Sequence, residues 1–431
     1  MGAWKNWAGN QQCAPARVEH PAGAAALADV VRSSARVKVV GSGHSFTDIA
    51  VVPDGGVQVV LDRHSSLLSV DRTTGRVTAQ AGMTLLALNR ALSKVGLALP
   101  NLGDIAYQTI AGAVSTATHG TGIGFGGIAT QVVGVELVAA DGSVVRASAE
   151  EEPEVFACAR VGLGALGVLS SVTLQCVPAF RLHAVEEPMR LGSVLRELDR
   201  HVADNDHFEF FYVPHTDWAL TKRNNRTDAA VGGMPRWKWV RDKVLMENVA
   251  FGGVVRLGRR WPSLIPRLAT ALPSSGRTEY VKPSHDVFAS PRWVHFYEME
   301  YSVPREAGAE CLQRVRSFID SSGLRISFPI EVRFTAGDDI PLSTAYGGER
   351  CYIAVHVYRG MEHERYFRHV EKVMRSVGGR PHWGKLHYRT ADDLAPVYPE
   401  WERFQAVRRK LDSEGKFANA YLDRVLGSVL T

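Results

Sequence analysis

The stretch that decides the fold reads Val39-Val40-Gly41-Ser42-Gly43-His44-Ser45-Phe46 and lies near the start of the chain. Apolar residues at Val37, Val39 and Val40 predict a short buried strand, and the glycines that follow allow the backbone to turn sharply. The stretch differs from the dinucleotide-binding fingerprint, because Phe46 stands where that fingerprint has its third glycine, and it lacks the Lys-Ser or Lys-Thr pair of a P-loop. By residue type alone, His44 is either an ordinary turn histidine or a functional one.

Length and charge limit the class of protein. A chain of 431 residues is too long for one ordinary core, so two or three domains are expected. Its 50 basic and 45 acidic residues give a net charge of +5, which looks spread along the sequence. This pattern argues against nucleic acid as a partner and mildly favours an anionic ligand.

Cysteines and apolar stretches indicate the compartment. The five cysteines are scattered singly with no CxxC pair, so neither a zinc site nor a disulfide framework is predicted. We expect free thiols in a reducing compartment and no bound metal. Residues 1–10 lack the apolar core of a signal peptide, and no later stretch is long and apolar enough to span a membrane. The sequence therefore predicts a cytoplasmic protein without an integral membrane segment.

The first third of the chain mixes helices with hairpins. Helices are predicted over residues 22–35 and 84–95, and hairpins join residues 68–71 to 76–80 and 132–139 to 144–147. The second hairpin carries Asp141-Gly142, a strong turn signal. Strands and helices that do not strictly alternate favour an α+β fold over a doubly wound sheet.

Small residues and hydroxyls dominate two further loops. Residues 109–127 contain Ser115, Thr118, Gly120 and Gly122, a composition that suits either a phosphate-binding surface or a flexible loop. Three glycines then fall within residues 162–167, where the backbone can approach a ligand closely. Together with the first turn, these loops indicate one large ligand.

The amino-acid composition changes after Pro178, where a second domain is expected to begin. Residues 206–212 alternate like a half-buried strand. Residues 222–260 are basic, and we interpret them as a solvated loop rather than a binding element.

Three later features can carry chemistry. Glu331 and Arg333 lie two apart on a predicted strand, so both point to one face, either as an exposed ion pair of little value or as a pair in a cleft. His356 lies on a second strand, where a lone histidine is most often structural. Lys385 belongs to the cluster Arg380-Pro381-His382-Trp383-Gly384-Lys385 and is either solvated or part of a site. The last residues are too few for a domain and are expected to complete the first one.

These motifs, in this order, resemble the flavoenzymes of the vanillyl-alcohol oxidase superfamily, and within it the aldonolactone oxidase and alditol oxidase group. The resemblance runs from Asn6 to Asn419, nearly the whole chain. It implies an α+β fold with a two-part FAD-binding domain, residues 1–177 and 381–431, around a cap domain of residues 178–380. A non-catalytic nucleotide-binding protein with a degenerate flavin site is the alternative from another class.

The resemblance implies FAD as the cofactor. His44 matches the histidine that many members bond covalently to the flavin 8α carbon, and a neutral imidazole is nucleophilic enough for that bond. The other positions implied in cofactor binding are Gly41, Ser42, Gly43, Ser45, Gly103, Asp104, Ser115, Thr118, Gly120, Gly122, Gly167 and His382.

The resemblance also implies a catalytic set of Glu331, Arg333, Lys385 and His356. We expect Lys385 and Arg333 to polarise the reacting hydroxyl and the flavin edge, while Glu331 orients substrate hydroxyls.

Two departures from the alditol oxidases guide the choice of substrate. Gly103-Asp104 replaces Ala-Ser, and Tyr358 replaces a threonine, which favours a sugar lactone over an open-chain polyol. Gly103 also resembles the position that admits dioxygen in aldonolactone oxidases. The expected function is an FAD-dependent oxidase of an aldono-1,4-lactone of the L-gulono or D-arabinono type, with a polyhydroxylated substrate and dioxygen as partners. The alternatives are an alditol oxidase and an oxidase of a hydroxyl or amine on a specialised metabolite.

Overall fold

The computed structural model describes residues 3–271, 276–290 and 293–429. Its strands are β1 Trp4–Lys5, β2 Gln12–Cys13, β3 Arg17–Glu19, β4 Val37–Val40, β5 Val57–Val60, β6 Leu67–Asp71, β7 Arg76–Gln80, β8 Leu97–Ala98, β9 Val132–Val138, β10 Val144–Ser148, β11 Val168–Gln175, β12 Val177–Pro178, β13 Arg181–Arg190, β14 His207–Tyr212, β15 Trp218–Thr227, β16 Thr278–Pro283, β17 Phe296–Pro304, β18 Ile330–Thr335, β19 Arg350–Tyr358 and β20 Arg380–Pro381.

The α-helices are α1 Ala24–Arg32, α2 Leu85–Lys94, α3 Ile110–Ser115, α4 Pro153–Ala159, α5 Leu191–Arg196, α6 Leu198–Ala203, α7 Arg236–Trp239, α8 Phe251–Arg260, α9 Ile265–Ala271, α10 Ser284–Phe288, α11 Gly308–Ser322, α12 Glu364–Arg375, α13 Ala391–Leu394, α14 Trp401–Leu411 and α15 Ala420–Leu426. A π-helix, Val240–Ala250, joins α7 to α8.

A small parallel sheet supports the glycine turn. Its strand order is β3-β5-β4, and β4 runs directly into residues 41–46. Val37 and Val40 of β4 are buried, as the sequence predicts. Helix α1 has Leu27 and Val31 fully buried in the same core, so the strand that aims the turn is fixed by packing on a helix.

An antiparallel sheet of order β10-β9-β11-β7-β6 adjoins this unit. It contains both predicted hairpins, β6 with β7 and β9 with β10, which are therefore confirmed. Helix α2 is confirmed as well, and Thr84 caps it by accepting a hydrogen bond from the amide of Ala87 at 3.2 Å.

The largest sheet has the order β16-β13-β15-β14-β18-β19-β17-β20 and is antiparallel throughout. Helices α11 and α12 cover one of its faces, where Val315 and Phe367 pack on Val332 and Val355 in a continuous apolar core. Because side chains alternate along a strand, the intervening residues point to the opposite face. That second face carries the polar residues that form the site.

The end of the chain returns to the beginning. Trp383, Phe404 and Tyr421 lie in the core that holds α1 and the first two sheets. The backbone amide of Val37 donates to the carbonyl of Lys416 at 3.0 Å, which ties β4 to the last part of the chain. The domain boundaries predicted after residues 177 and 380 stay a prediction.

One expectation about the second part of the chain is wrong. Residues 222–260 are not a solvated loop, because β15 continues to Thr227 and residues 236–271 are mostly helical. The exposed arginines of these helices concealed this, since the same helices pack against the protein through other residues such as Val255.

Among residues 3–271, 276–290 and 293–429, no helix has both the length and the apolar character that crossing a membrane requires.

Candidate active site

The glycine turn forms one wall of a cavity of about 430 Å³. An added Cβ at Gly41 would lie 2.4 Å from Oγ1 of Thr109, so only glycine allows the turn to pack this closely. Gly43 has a φ of +69°, in the left-handed region that favours glycine. Seven predicted cofactor positions line this cavity: Gly41, Ser42, Gly43, His44, Ser45, Ser115 and Gly167.

Distant segments hold the turn in place. The amide of Trp7 donates to the carbonyl of Gly43, and the amide of Phe46 donates to the carbonyl of Gly384, both at 2.8 Å. The side chain of Asn6 donates to the carbonyl of Ser45 at 3.0 Å. The turn is therefore shaped by both ends of the chain and not by its own sequence alone.

His44 is a neutral imidazole at physiological pH. Burial, with the charge of Lys385 next, lowers its pKa to about 4. The ring lies 5.8 Å from the ring of Trp7 and stacks on Tyr107 at 6.5 Å. Tyr107 lines a second cavity of about 1040 Å³, so His44 stands where the two cavities approach each other.

Arg333 is the centre of a buried group of charges. Its Nε donates to Oε2 of Glu209 at 2.8 Å, its Nη2 pairs with Glu331, and Oδ2 of Asp104 lies 3.7 Å from the same nitrogen. Glu331 and Arg333 do share one face of β18, as predicted, but the reading as an exposed ion pair is wrong, because both are buried. Asp104 lies here beside Arg333, on the wall of the second cavity.

Glu209 links Arg333 to a neighbouring strand. In the sheet register Glu209 stands opposite Lys222 on one side and opposite Arg333 on the other. Lys222 donates to Oε1 of Glu209 at 3.0 Å. Burial alone would raise the pKa of Glu209, but the charges of Lys222 and Arg333 outweigh burial and hold that pKa well below its usual value.

A second group surrounds Lys385. Its ammonium donates to Oε2 of Glu298 and lies 5.1 Å from the ring centre of Phe46, the last residue of the glycine turn. Burial would lower the pKa of Lys385, yet Glu298 and Glu300 raise it, so the half-buried side chain is a cation paired with Glu298. Oε1 of Glu298 lies 3.5 Å from Nε2 of His356, whose Nδ1 is 3.2 Å from the carbonyl oxygen of Pro329.

His382 belongs to a third buried group. Nε2 of His119 lies 3.0 Å from Oε1 of Glu300, and Nδ1 of His382 accepts from the amide of Gly384 at 3.0 Å. Burial lowers the pKa of His382 to about 3, so its ring is neutral. The ligand atoms of His119, Glu300 and His382 lie within 4.8 Å of one another, a spacing that would admit a metal ion, but hydrogen bonds within the protein already use these atoms.

Together these side chains make a polar surface on the second face of the large sheet. We call it the charged face, and it consists of Glu209, Lys222, Glu298, Glu300, Glu331, Arg333 and His356. Ala354 stands opposite both Glu331 and Glu300 in the register, and its small side chain leaves room between the two acids.

Asp104 lines the second cavity, whereas five other predicted cofactor positions lie outside the linings of both cavities, as far as the described residues define them: Gly103, Thr118, Gly120, Gly122 and His382. An added Cβ at Gly120 would lie 2.2 Å from the carbonyl oxygen of Leu102, and one at Gly103 would lie 3.1 Å from that of His119. The amide of Gly122 donates to the carbonyl of Phe334 at 2.7 Å. The structure thus places Gly103 before α3 and Thr118, Gly120 and Gly122 after it, in two segments that pack tightly on each other; the second of these also binds β18 of the large sheet.

Three buried acids of the charged face escaped the sequence analysis: Glu209, Glu298 and Glu300. Glu298 and Glu300 alternate with the apolar Met299 and Tyr301, and that pattern normally indicates a strand with one solvated side. The usable signal was the long run of aromatic residues around them, which suits a strand that is buried on both faces.

Comparison with known proteins agrees with this arrangement. Residues 172–425 match the family model described as D-arabinono-1,4-lactone oxidase, and residues 15–148 match that of an FAD binding domain. L-gulono-1,4-lactone dehydrogenase of Mycobacterium tuberculosis (strain ATCC 25618 / H37Rv) is 47% identical over 98% of this chain and 99% of its own. L-gulonolactone oxidase of Bos taurus is 35% identical over 98% of each chain.

A solved structure shares the fold. A solvent-stable cholesterol oxidase superposes with a TM-score of 0.84 over 99% of this chain and 97% of its own, at 18% sequence identity. The fold and the site define a flavoprotein oxidoreductase of the vanillyl-alcohol oxidase type, with FAD as its cofactor. The chain belongs to the D-arabinono-1,4-lactone oxidase family. The predicted superfamily, α+β fold and enzyme class are thereby confirmed.

The residues present fit FAD. The first cavity offers the narrow backbone turn and small side chains that suit a diphosphate. The second cavity lies beyond His44 and Tyr107 and is bounded by charged groups, so an elongated molecule can reach from one cavity to the other. The neutral ring of His44 stands at the junction.

Proposed function

We propose that the protein oxidises a secondary alcohol carbon of an aldono-1,4-lactone of the L-gulono or D-arabinono type to the ketone. Bound FAD would supply the redox chemistry, in which a hydride and the hydroxyl proton leave the alcohol and, with dioxygen, end as hydrogen peroxide. The observation that carries the proposal is the charged face with Arg333 and His356, together with Lys385, which pairs with Glu298 of that face, next to the second cavity that His356 lines.

Arg333 supplies a fixed positive charge. Its guanidinium is held by Glu209 and Glu331 and stays protonated, so it stabilises the negative charge that forms on the substrate oxygen as the hydroxyl proton leaves, and it would stabilise the anionic edge of a reduced flavin. Because two carboxylates fix its position, no reorganisation is needed during the reaction. Glu331 accepts hydrogen bonds from substrate hydroxyls, and Asp104 adds a further acceptor on the wall of the cavity.

His356 takes the proton of the reacting hydroxyl. The carbonyl of Pro329 binds Nδ1 and keeps a proton there, so Nε2 is the nitrogen that accepts. Glu298 lies 3.5 Å from Nε2 and stabilises the imidazolium that forms. Lys385, a cation beside the same carboxylate, donates to the hydroxyl oxygen and prepares it for deprotonation.

The first experiment compares substrates by anaerobic bleaching of the flavin. L-gulono-1,4-lactone or D-arabinono-1,4-lactone should bleach it fastest, because Asp104 lines the second cavity at the position where alditol oxidases carry a serine. Bleaching by xylitol or sorbitol and by no lactone would replace this proposal with an alditol oxidase. A colourless protein that binds no flavin would support the non-catalytic alternative.

The second proposal concerns the bond at His44. A neutral, half-buried imidazole between the two cavities is placed to bond to the 8α carbon of the flavin; that carbon and the imidazole would each lose a proton, and the two electrons would leave through the flavin to dioxygen. The bond would keep the cofactor bound during turnover. Acid-precipitated protein should stay yellow and fluoresce on a denaturing gel, and the His44→Ala variant should lose this fluorescence. Fluorescence that persists in His44→Ala would assign the bond to another residue.

The acceptor and the compartment complete the proposal. One relative is named a dehydrogenase and another an oxidase, so the acceptor is tested directly by hydrogen peroxide yield per substrate oxidised. A yield near one supports dioxygen, and a yield near zero with fast reduction of an added dye contradicts it. All five cysteines are free, which supports a reducing compartment, the cytoplasm. The cap domain of residues 178–380 and the FAD-binding domain of residues 1–177 and 381–431 are part of the same proposal.

A further inference from the structure

Residues 236–271 form a helical segment with an unusual surface, which we call the helical arm. It consists of α7, the π-helix, α8, a short 3₁₀ turn and α9. Fourteen large hydrophobic residues are exposed among the described residues, and seven of them lie on the arm: Trp237, Val240, Leu245, Met246, Val249, Leu257 and Trp261. Trp237 is 65% exposed and Trp261 50%. Exposed apolar residues at this density mark a surface that meets something other than water.

The arm also carries the positive charge of the protein. Its sequence holds eight basic and two acidic residues, a net charge of +6, while the whole chain carries +5. The expectation that the charge is spread along the sequence is therefore wrong, because the remaining residues are nearly neutral. The described arginines Arg241, Arg256, Arg259, Arg260 and Arg267 are all exposed.

The other side of the arm is packed against the protein. Val255 of α8 is fully buried in a small core with Phe328, and Phe251 contacts the ring of Phe328 edge-on at 5.0 Å. Gly258 lets Ile265 approach, since an added Cβ there would lie 2.9 Å from that side chain. The arm is thus held in place by one side, and Trp237, Trp261 and its described arginines are exposed. Trp239, Arg241 and Met246 line the second cavity.

We infer that the helical arm docks the protein onto the surface of an anionic phospholipid bilayer. Tryptophan and leucine side chains enter the boundary between headgroups and acyl chains, and arginines bind the phosphates beside them. Each basic residue near an anionic surface adds attraction that decays within a Debye length. The attachment is peripheral and needs no helix that crosses the membrane.

Charge and shape favour lipid over other occupants. A second copy of the chain would bring two faces of +6 together, which repel each other. A protein interface needs a contiguous apolar core with a polar rim. On the arm, the exposed apolar residues are distributed over successive helices and alternate with arginines, and a fluid headgroup layer can accommodate that distribution.

The direct test is sedimentation of the flavin-loaded protein with vesicles. Vesicles of phosphatidylcholine with about one third phosphatidylglycerol should carry the protein down, whereas pure phosphatidylcholine should not. About 1 M NaCl, where the Debye length is about 3 Å, should release most of it. Protein that stays in the supernatant with the anionic vesicles overturns the inference, and so does equal binding to both lipids.

Variants separate the contribution of the tryptophans to vesicle binding from that of the arginines. Trp237→Ser with Trp261→Ser should weaken vesicle binding about tenfold or more, because each loses a large interfacial side chain. The matched control is Trp218→Ser, at a tryptophan that is 42% exposed on β15, outside the arm. The control should bind like the unchanged protein, and a loss equal to that of the double variant would overturn the inference.

The charge variant has its own control. Arg256→Gln with Arg260→Gln should weaken binding about 30-fold at low salt. Arg72→Gln with Arg409→Gln removes the same charge from exposed positions elsewhere and should leave binding nearly unchanged. Equal losses in both pairs would show attraction by net charge alone and overturn the role of the arm. Binding to an immobilised acidic protein but to no vesicle would assign the arm to a protein partner instead.

Discussion

The glycine turn of residues 41–46 and the charged face are two parts of one site that are built in opposite ways. The turn works through the absence of side chains, since at Gly41 even a Cβ would lie 2.4 Å from Thr109. The charged face works through large ionised side chains, each buried only because a partner of opposite charge adjoins it. The turn should therefore be sensitive to added volume, and the charged face to lost charge.

The largest expected effect comes from removing the central cation. Arg333→Ala leaves Glu209 and Glu331 without their shared partner and removes the charge that stabilises the substrate oxygen when its proton leaves. Anaerobic flavin reduction should slow roughly 10²–10³-fold, the usual cost of losing one preorganised donor. Arg314→Ala, on the exposed side of α11, is the control and should reduce at the normal rate. Equal losses of FAD content and of reduction rate would reject a catalytic role for Arg333.

Added volume in the turn tests the other region. Gly41→Ala should weaken FAD retention by about 1–3 kcal/mol, because Thr109 cannot move without losing its cap on α3. The flavin content per protein is read from the absorbance ratio after gel filtration. Gly253→Ala, where an added Cβ meets nothing within 4 Å, is the control. If Gly41→Ala retains full flavin content, the close packing of the turn is not required for binding.

Removing one carboxylate of the charged face should change how the rate of flavin reduction depends on pH. Glu298→Gln removes the carboxylate that most raises the pKa of Lys385, so the ammonium should be lost at lower pH. We expect flavin reduction to slow about tenfold at neutral pH and its alkaline limb to move toward lower pH. Glu279→Gln, at an exposed acid of β16, should leave the profile in place. A slower rate with an unmoved profile would mean that Glu298 acts only through packing.

The junction between the two regions gives the smallest effect. His207 lies at 2.7 Å from the carbonyl oxygen of Thr121, and burial lowers its pKa to about 4. The unfolded chain, with a histidine pKa of about 6.5, binds more protons between these values, so stability is complete above about pH 6.5 and falls as the pH drops toward 4. Between pH 7 and pH 5.5, the free energy of unfolding should fall by about 1 kcal/mol less in the His207→Gln variant than in the unchanged protein. Urea unfolding at each pH measures this, and identical slopes would contradict it.

Features that depend on neighbours in sequence could be predicted, and features that depend on distant segments could not. The hairpins with Thr74-Gly75 and Asp141-Gly142, helix α2 and the glycine turn depend on neighbours in sequence, and the structure has them where expected. Glu331 and Arg333 were placed on one face by the two-residue period of a strand. Their burial was not predictable from the same segment, because it depends on strands that lie far away in the chain.

Side chains that meet through the sheet register were missed for this reason. Glu209 is opposite Arg333 although 124 residues separate them, and Glu298 meets Lys385 across 87 residues. Single-sequence patterns carry no information about such pairings. The helical arm was missed differently, since its basic residues were interpreted as a sign of solvation while its exposed tryptophans, in the same segment, were given too little weight.

The two hydrogen bonds that reach the turn from the end of the chain bear on how the protein is made. Phe46 binds Gly384, and Val37 binds Lys416, at 2.8 Å and 3.0 Å. During synthesis the N-terminal part emerges first and can form its hairpins, but it lacks these partners until the last segment is released. We therefore expect the finished polypeptide, and not the growing one, to take up FAD. A cell short of riboflavin, the vitamin from which FAD is made, should then accumulate folded but colourless protein.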